Sequence, residues 1–446
     1  MNSIFTSMKK VAALALAGAV VVGLAACGAK TTQPDTTNLR LINLAPENGA
    51  LDLQIGDPAT TIAAGVPVLG SSGYKSFESG AIKIKVKNAT GSVLLDTSVV
   101  LAGKAFTTLL VYGGAASFSS TLIGEVDTPS TTAANFKIAL GHYGAGLPAM
   151  DMYLLAPNQA VTNATPTASR VTLASQPNFI DLAAGSLSLK ITTAGTKDVI
   201  FDSDAYNFVA SKTYFVAAYA NGSSLLPSVS LHQVNTDGSI SQLKNKIARL
   251  RAVGGASDSG TFSMLNGGSR LFFNLEFGVP GKYTNVSAGS TNLRFELLNT
   301  PGTNAASVAT TLAGGADYTV VLAGSVLQNT ASATVYADQY FPSSAVKAQV
   351  RFINATSGVG AIDTVVNNTA SVTNVAQNTA SKYVDVDAGT ARFAAIAKGT
   401  DSILASLPVV TKDGDPTTIP VAAGAVYTIF VIGQSGFTRA AIERDN

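Results

Sequence analysis

Gly80-Ala81-Ile82-Lys83-Ile84-Lys85-Val86-Lys87 is the stretch on which the fold turns. Its branched apolar residues sit on even offsets from the glycine and its lysines on odd ones. A period of two belongs to a strand with one face on a core. The same parity returns after Gly185 (Leu187, Leu189, Ile191), after Gly289 (Leu293, Phe295, Leu297) and after Gly389 (Ala391, Phe393, Ala395). A slip of one residue would turn every side chain over, so identical parity in four places marks four copies of one unit. Each glycine also stands six positions after an aromatic residue: Tyr74, Phe179, Tyr283 and Tyr383.

Two further markers flank this strand in the same order. One is an opening strand with a basic residue between apolar ones: Leu39-Arg40-Leu41, Phe136-Lys137-Ile138, Leu250-Arg251-Ala252 and Val350-Arg351-Phe352. Copies one and four agree further, with Asn43 and Asn354 closing the opening and Asp52 and Asp363 ending a Gly-Ala-Leu/Ile-Asp run. The other is a small-residue turn followed by an aromatic and an apolar run, at Phe106, Tyr214, Tyr318 and Tyr427. Runs such as Leu109-Leu110-Val111 and Ile429-Phe430-Val431-Ile432 are continuous, which predicts strands covered on both sides or central in their sheet. A tyrosine opening a late strand resembles the tyrosine corner of immunoglobulin-like sandwiches; Phe106 lacks the hydroxyl.

Polar linkers carrying Pro, Gly or Ser separate the copies. The expected organisation is all-β, four tandem immunoglobulin-like β-sandwich domains after a lipoprotein signal peptide. The bounds are 1–26 for the signal, 27–38 for a lipidated tether, and 39–127, 135–235, 247–340 and 347–446 for the four copies. Short strands with turn signals and no long amphipathic helix support this reading. A closed transmembrane barrel is disfavoured by the polar linkers and the domain-sized repeat.

The start of the chain resembles a bacterial lipoprotein signal. Lys9 and Lys10 precede an apolar, small-residue stretch over 11–23 that ends in Leu24-Ala25-Ala26-Cys27, and Cys27 is the only cysteine. The stretch is shorter than the roughly 20 residues a spanning helix needs. The resemblance implies cleavage between Ala26 and Cys27, a diacylglycerol on the thiol and an acyl chain on the new amine. Membrane lipid, held through acylated Cys27, is then the first expected partner. Gly28 follows the cysteine, so the outer membrane is favoured in a Gram-negative envelope.

The formal charge of +2 comes from Lys9 and Lys10, so the processed chain is neutral and carries no footprint for nucleic acid. With Cys27 lipidated no disulfide is available, and the copies must hold by apolar burial. Charged residues make up 13% of the chain, well below the usual quarter, while apolar residues reach 46%. That balance suits strands rather than exposed helices or disorder.

Candidate chemistry is sparse, and no catalytic, cofactor-binding or metal-ligating residue is expected. His142 and His232 stand at unrelated positions and neither recurs, and Gly141-His142-Tyr143-Gly144 reads as a turn. Asp202-Ser203-Asp204, Asp385-Val386-Asp387 and Asp413-Gly414-Asp415 lack the spaced oxygens of a calcium loop, and the last reads as a hairpin turn. Lys83, Lys85 and Lys87 share one strand face, which reads as protection of a sheet edge, or else as a surface for anionic polysaccharide or headgroups. Tyr143 and Phe437 are the candidates for exposed ring platforms.

The Leu-Arg-Leu-Ile-Asn and Val-Arg-Phe-Ile-Asn openings, with Leu-Ala-Gly and Tyr-Thr-Val-Val-Leu-Ala-Gly over 312–324, resemble the bacterial domain-of-unknown-function family 4397. The resemblance covers nearly all of 39–446. It implies an exported, β-rich, tandem protein and brings no activity. The expected role is a membrane-anchored structural, adhesive or presentation module of the cell envelope, not an enzyme, with an envelope protein or polysaccharide as a further partner. A glycan- or small-ligand-binding lipoprotein is the alternative, and a hydrolase in the divergent second copy the third.

Overall fold

The computed structural model describes residues 35–446 apart from 115–117, 126–129, 176, 235–239, 259, 341 and 408–417. The signal, Ala26, Cys27 and the Asp413-Gly414-Asp415 turn lie outside the described residues. Copy 1 comprises β1 (Thr36–Leu44), β2 (Leu51–Ile55), β3 (Thr60–Val66), β4 (Lys75–Glu78), β5 (Gly80–Asn88), β6 (Val93–Leu101), β7 (Phe106–Tyr112) and β8 (Ser119–Glu125). They form two sheets, ordered β4-β1-β7-β8 and β3-β2-β5-β6. All pairings are antiparallel except β1 with β7, which run parallel from Asn38↔Phe106 to Leu44↔Tyr112. Ile84 and Val86 point inward from β5 and meet Leu39, Leu41, Leu109 and Val111 from the facing sheet.

The same two-sheet order recurs in copy 2 (Asn135–Tyr143 to Ser228–Gln233), copy 3 (Ile247–Gly254 to Ser332–Ala337) and copy 4 (Lys347–Ser357 to Phe437–Arg444), each around its own core. The tandem sandwiches expected from parity are therefore what the chain forms, in a strand order of their own. Gly80, Gly185, Gly289 and Gly389 each open the β5 strand or its counterpart at φ +129°, +149°, +113° and +134°, where the chain crosses between sheets. A Cβ on Gly289 would meet nothing within 4 Å, so only the backbone resists substitution. Gly289→Ala is expected to cost about 1–3 kcal/mol in urea unfolding, and an unchanged midpoint would contradict that origin.

The tyrosine corner is present where the hydroxyl exists. Tyr214, Tyr318 and Tyr427 accept the N–H groups of Val209, Ala313 and Ala422, five residues upstream, at 3.2, 2.9 and 3.1 Å. In copy 1 the register corrects the expected counterpart: Thr107, opposite Leu39, holds the tyrosine position, and Phe106, one residue earlier, packs edge-on against Tyr74 at 5.0 Å. In copies one and four the buried amides Asn43 and Asn354 brace the first turn: Asn43 donates to Gly49 and Val66 carbonyls, Asn354 to Gly360 and Val375.

The continuous apolar runs are explained by how the copies meet. Each β1/β7 sheet is covered on one face by its own sandwich and on the other by the neighbouring copy. Ile42, Leu44, Leu110 and Tyr112 of copy 1 pack on Ala139, Tyr143, Phe215 and Tyr219 of copy 2. Val253, Val321 and Tyr336 of copy 3 pack on Ile353, Phe430 and Ile432 of copy 4. The ends of a copy also adjoin, because Glu125 registers with Phe106 and Phe106 with Asn38. Copies 1 and 2, and copies 3 and 4, thus lie side by side.

Pair 3–4 meets pair 1–2 end on. Asn221 and Ser224, in the loop of copy 2 remote from its chain ends, donate to the Gly315 carbonyl and to Asp317 at the start of copy 3's seventh strand. The chain reaches that level through Ser241–Leu243, an extra strand that runs antiparallel to Ser228–Gln233 and widens copy 2's sheet to five.

Three sequence expectations are corrected. Lys137 is not the counterpart of Arg40, since Arg40 registers with Thr108, one step beyond the core-facing pair, and the matching position in copy 2 is Ala139 opposite Phe215. The lysines of β5 do not guard an edge, because β5 lies between β2 and β6. His142 is not in a turn; it lies in the strand Asn135–Tyr143 with no exposed surface.

Candidate functional site

The three sequence markers converge on one place. Arg40, Arg251 and Arg351 are among the largest fully buried side chains, each on an opening strand and facing the paired copy. Each guanidinium lies over the aromatic ring six residues before the crossing glycine: Arg40 over Tyr74 at 4.8 Å, Arg251 over Tyr283 at 4.7 Å, Arg351 over Tyr383 at 5.0 Å. Each Nε donates to a threonine on the neighbouring parallel strand: Thr108 (2.7 Å), Thr319 (2.7 Å) and Thr428 (3.0 Å). Each threonine donates in turn to an acid closing the same copy: Glu125, Asp338 at 2.6 Å, Asp445 at 2.7 Å.

What differs is the acid each arginine reaches. In copy 1, Arg40 Nη2 donates to its own Glu125 at 2.6 Å. In pair 3–4 the partners are exchanged. Arg251 donates to Asp445 of copy 4 at 2.6 Å, and Arg351 donates to Asp338 of copy 3. Such reciprocity is the mark of a local twofold between two like surfaces. Burial would raise Asp338, yet Arg351 and Arg251 together hold it below the ordinary carboxylate range. Burial raises Asp445 against the pull of Arg251, and burial and the nearby acids raise Tyr283. A second pair adjoins it: Arg249 bonds to Asp317, which burial pushes up despite that partner.

Copy 2 answers with an apolar set. Ala139, Phe179, Phe215 and Val234 occupy the arginine, tyrosine, threonine and acid positions and pack against copy 1. Replacing a buried ion pair by well-packed apolar side chains is often neutral or better for stability. In pair 3–4 the cluster ties one copy to the other, whereas in copy 1 it closes on itself.

Other expected sites are used locally. His232 is buried at the 1–2 interface, 2.9 Å from Ser230 Oγ and 5.7 Å from the Phe215 ring. Burial and the Arg40 charge lower its pKa to about 3. Burial also lowers His142, whose Nδ1 accepts the Gly144 N–H at 3.1 Å. Asp202 is taken up by Lys190 at 2.7 Å and Lys246 at 3.6 Å, Asp204 by Lys246, and Asp387 by Lys347 at 3.4 Å. Asp385 accepts from Gln349 at 3.2 Å. Lys83 and Lys85 both reach Asp96. Tyr143 is no platform: it is buried against Tyr112 in the 1–2 interface. Phe437 is exposed, its ring 5.9 Å from Phe277.

One concavity has no counterpart in the sequence reading. A cavity of about 280 Å³ opens where the two pairs meet, walled by Pro46, Ala145, Ala220, Pro342 and Ala345, with Glu47 at its rim. Its walls come from three copies, so no local motif announces it.

A family model described as "Domain of unknown function (DUF4397)" matches residues 37–153, 248–365 and 348–446. The stretch between the first two matches falls in copy 2, where the charged set is replaced. Among curated proteins none matches. A solved structure described as the Bacillus anthracis TIE protein is similar over 92% of this chain and 68% of its own, at 10% identity and a TM-score of 0.14. A likeness that low carries no argument.

Proposed function

This chain belongs to the DUF4397 family, and from that premise we propose that it is an envelope scaffold, moored by lipid on Cys27 and presenting loops on stacked double sandwiches. The observation that carries the reading is the use made of the recurrent polar residues. Arginine, tyrosine, threonine and acid are spent on one another, within copy 1 and across the interface of copies 3 and 4, and the recurrent asparagine on bracing a turn. A repeat whose shared polar chemistry serves assembly is built for shape, with function left to loops that differ between copies.

A second reading rests on the cavity between the pairs. Its apolar walls and rim carboxylate suit a small aliphatic ligand with a cationic head. Two measurements separate the readings. Cells expressing the full chain or Cys27→Ser are fractionated; the scaffold reading requires the full chain in membranes and the variant released, and a variant still in membranes contradicts the mooring. The chain from Thr31 onward is then titrated with aliphatic amines in calorimetry. Saturable heat abolished by Ala220→Phe would favour the ligand reading over the scaffold.

A further inference from the structure

We propose that β6 of copy 1 is a pairing edge for a second molecule of this chain, joined antiparallel about Thr97. The starting point is the lysine stripe. Because Lys83, Lys85 and Lys87 lie on the interior strand β5, the edge beside them is β6, Val93-Leu94-Leu95-Asp96-Thr97-Ser98-Val99-Val100-Leu101. Natural edges are usually short or guarded by lysine, proline or a cover. These nine residues contain no lysine, arginine or proline, and Val93 and Val100 are 51% and 80% exposed. Among the described residues nothing pairs with its outer side.

The counterparts in the other copies are occupied. In copy 2, Val199–Phe208 is capped by the linker: Asn245 accepts the Asp202 N–H at 3.1 Å and donates to the Ile200 carbonyl at 3.0 Å, and the Lys246 N–H donates to Asp202 at 2.8 Å. In copy 4, Thr438 donates to the Leu404 carbonyl of Ile403–Leu407. In copy 3, Asn304–Leu312 runs beside Ser332–Ala337. Only copy 1 leaves this edge uncovered among the described residues.

The occupant follows from the sequence of β6, which is complementary to itself. An antiparallel twofold at Thr97 sets Leu95 opposite Val99, Leu94 opposite Val100, and Val93 opposite Leu101. Asp96 then faces Ser98 and not its own copy, and Lys83 and Lys85, at 3.8 and 3.4 Å, already neutralise it. Cross-strand apolar pairs of this kind are the unit of sheet stabilisation, and like charges directly opposite would oppose it. The pairing joins two four-stranded sheets into one of eight and makes the contact isologous, the same strand from each molecule.

Antiparallel partners place Cα atoms about 4.5–5.5 Å apart, within disulfide reach. The chain from Thr31 onward contains no cysteine. In it, Thr97→Cys is expected to oxidise to a linked dimer at least about tenfold faster than Val93→Cys, which faces Leu101 in this register. Sedimentation of the unsubstituted chain should show a concentration-dependent dimer that Val100→Lys abolishes, at a site exposed enough to leave the fold intact. A monomer at every concentration to roughly 100 μM would overturn the proposal, even if the edge captured some other peptide. Equal oxidation rates at the two positions would overturn it as well.

Discussion

Asp338→Ala is expected to lower the stability of pair 3–4 by about 3–5 kcal/mol, the usual cost of leaving a buried charge without its partner. Asp338 accepts from Arg351, from Thr319 and from Tyr283 at 2.6 Å, and lies 3.9 Å from Arg251. Without it, Arg351 keeps Thr428 and the Ala337 carbonyl but no anion of its own, and the Tyr283 hydroxyl loses its acceptor. Copy 2 shows that this place can do without charge altogether, so the expected loss arises from removing half of a pair. Hydrogen exchange at Val253 and Ile353 should rise while Ile42 and Phe215 in pair 1–2 stay protected. Asp387→Ala, which removes an exposed partner of Lys347, serves as the control and is expected to change little. Equal effects of the two variants would contradict the assignment.

Pair 1–2 should be the acid-sensitive half. His232 titrates near 6.5 when unfolded and at about 3 in the fold, because burial and then Arg40 oppose its charge. Between those values the unfolded chain binds a proton that the folded chain does not, so stability falls as the pH drops below 6.5. The loss is about 1.4 kcal/mol per pH unit, or about 2 kcal/mol by pH 5, and levels off near pH 3. The groups around the ring are Ser230, Phe215 and Arg40, and Arg40 is itself held by Glu125. His232→Ile places at this position the residue type that copy 1 carries as Ile123 opposite Thr108. It should reduce the slope of unfolding free energy against pH between 6.5 and 4, with His142, also lowered by burial, keeping its own share; an unchanged slope would assign the sensitivity elsewhere. Pair 3–4 contains no histidine, since the chain's two both lie in copy 2.

The strands, the crossing glycines and the tyrosine corners were legible because each follows from local parity or a fixed spacing. Continuous runs such as Leu109-Leu110-Val111 also announced double cover, though not what covers them. What escaped the sequence depends on strand order and on contacts between copies. The lysines of β5 resemble an edge until the order β3-β2-β5-β6 is known. Phe136-Lys137-Ile138 imitates Leu39-Arg40-Leu41, yet the register with the parallel strand places Ala139 at the arginine position. His142 between glycines imitates a turn, while its burial comes from the extended strand it closes. The exchange of acids is the least visible feature, since Arg251 and Asp445 stand 194 residues apart and no local pattern ties them. Each marker could be seen separately, but their meeting at one interface could not.

The sharing of sheet faces fixes the arithmetic of the repeat. A solitary copy would turn residues such as Ile42, Leu44, Leu110 and Tyr112 toward water, whereas a couple seals them. Viable shortening or lengthening of this architecture therefore proceeds by even steps, and the natural place to cut is the passage between Val234 and Ile247, where one sealed couple gives way to the next.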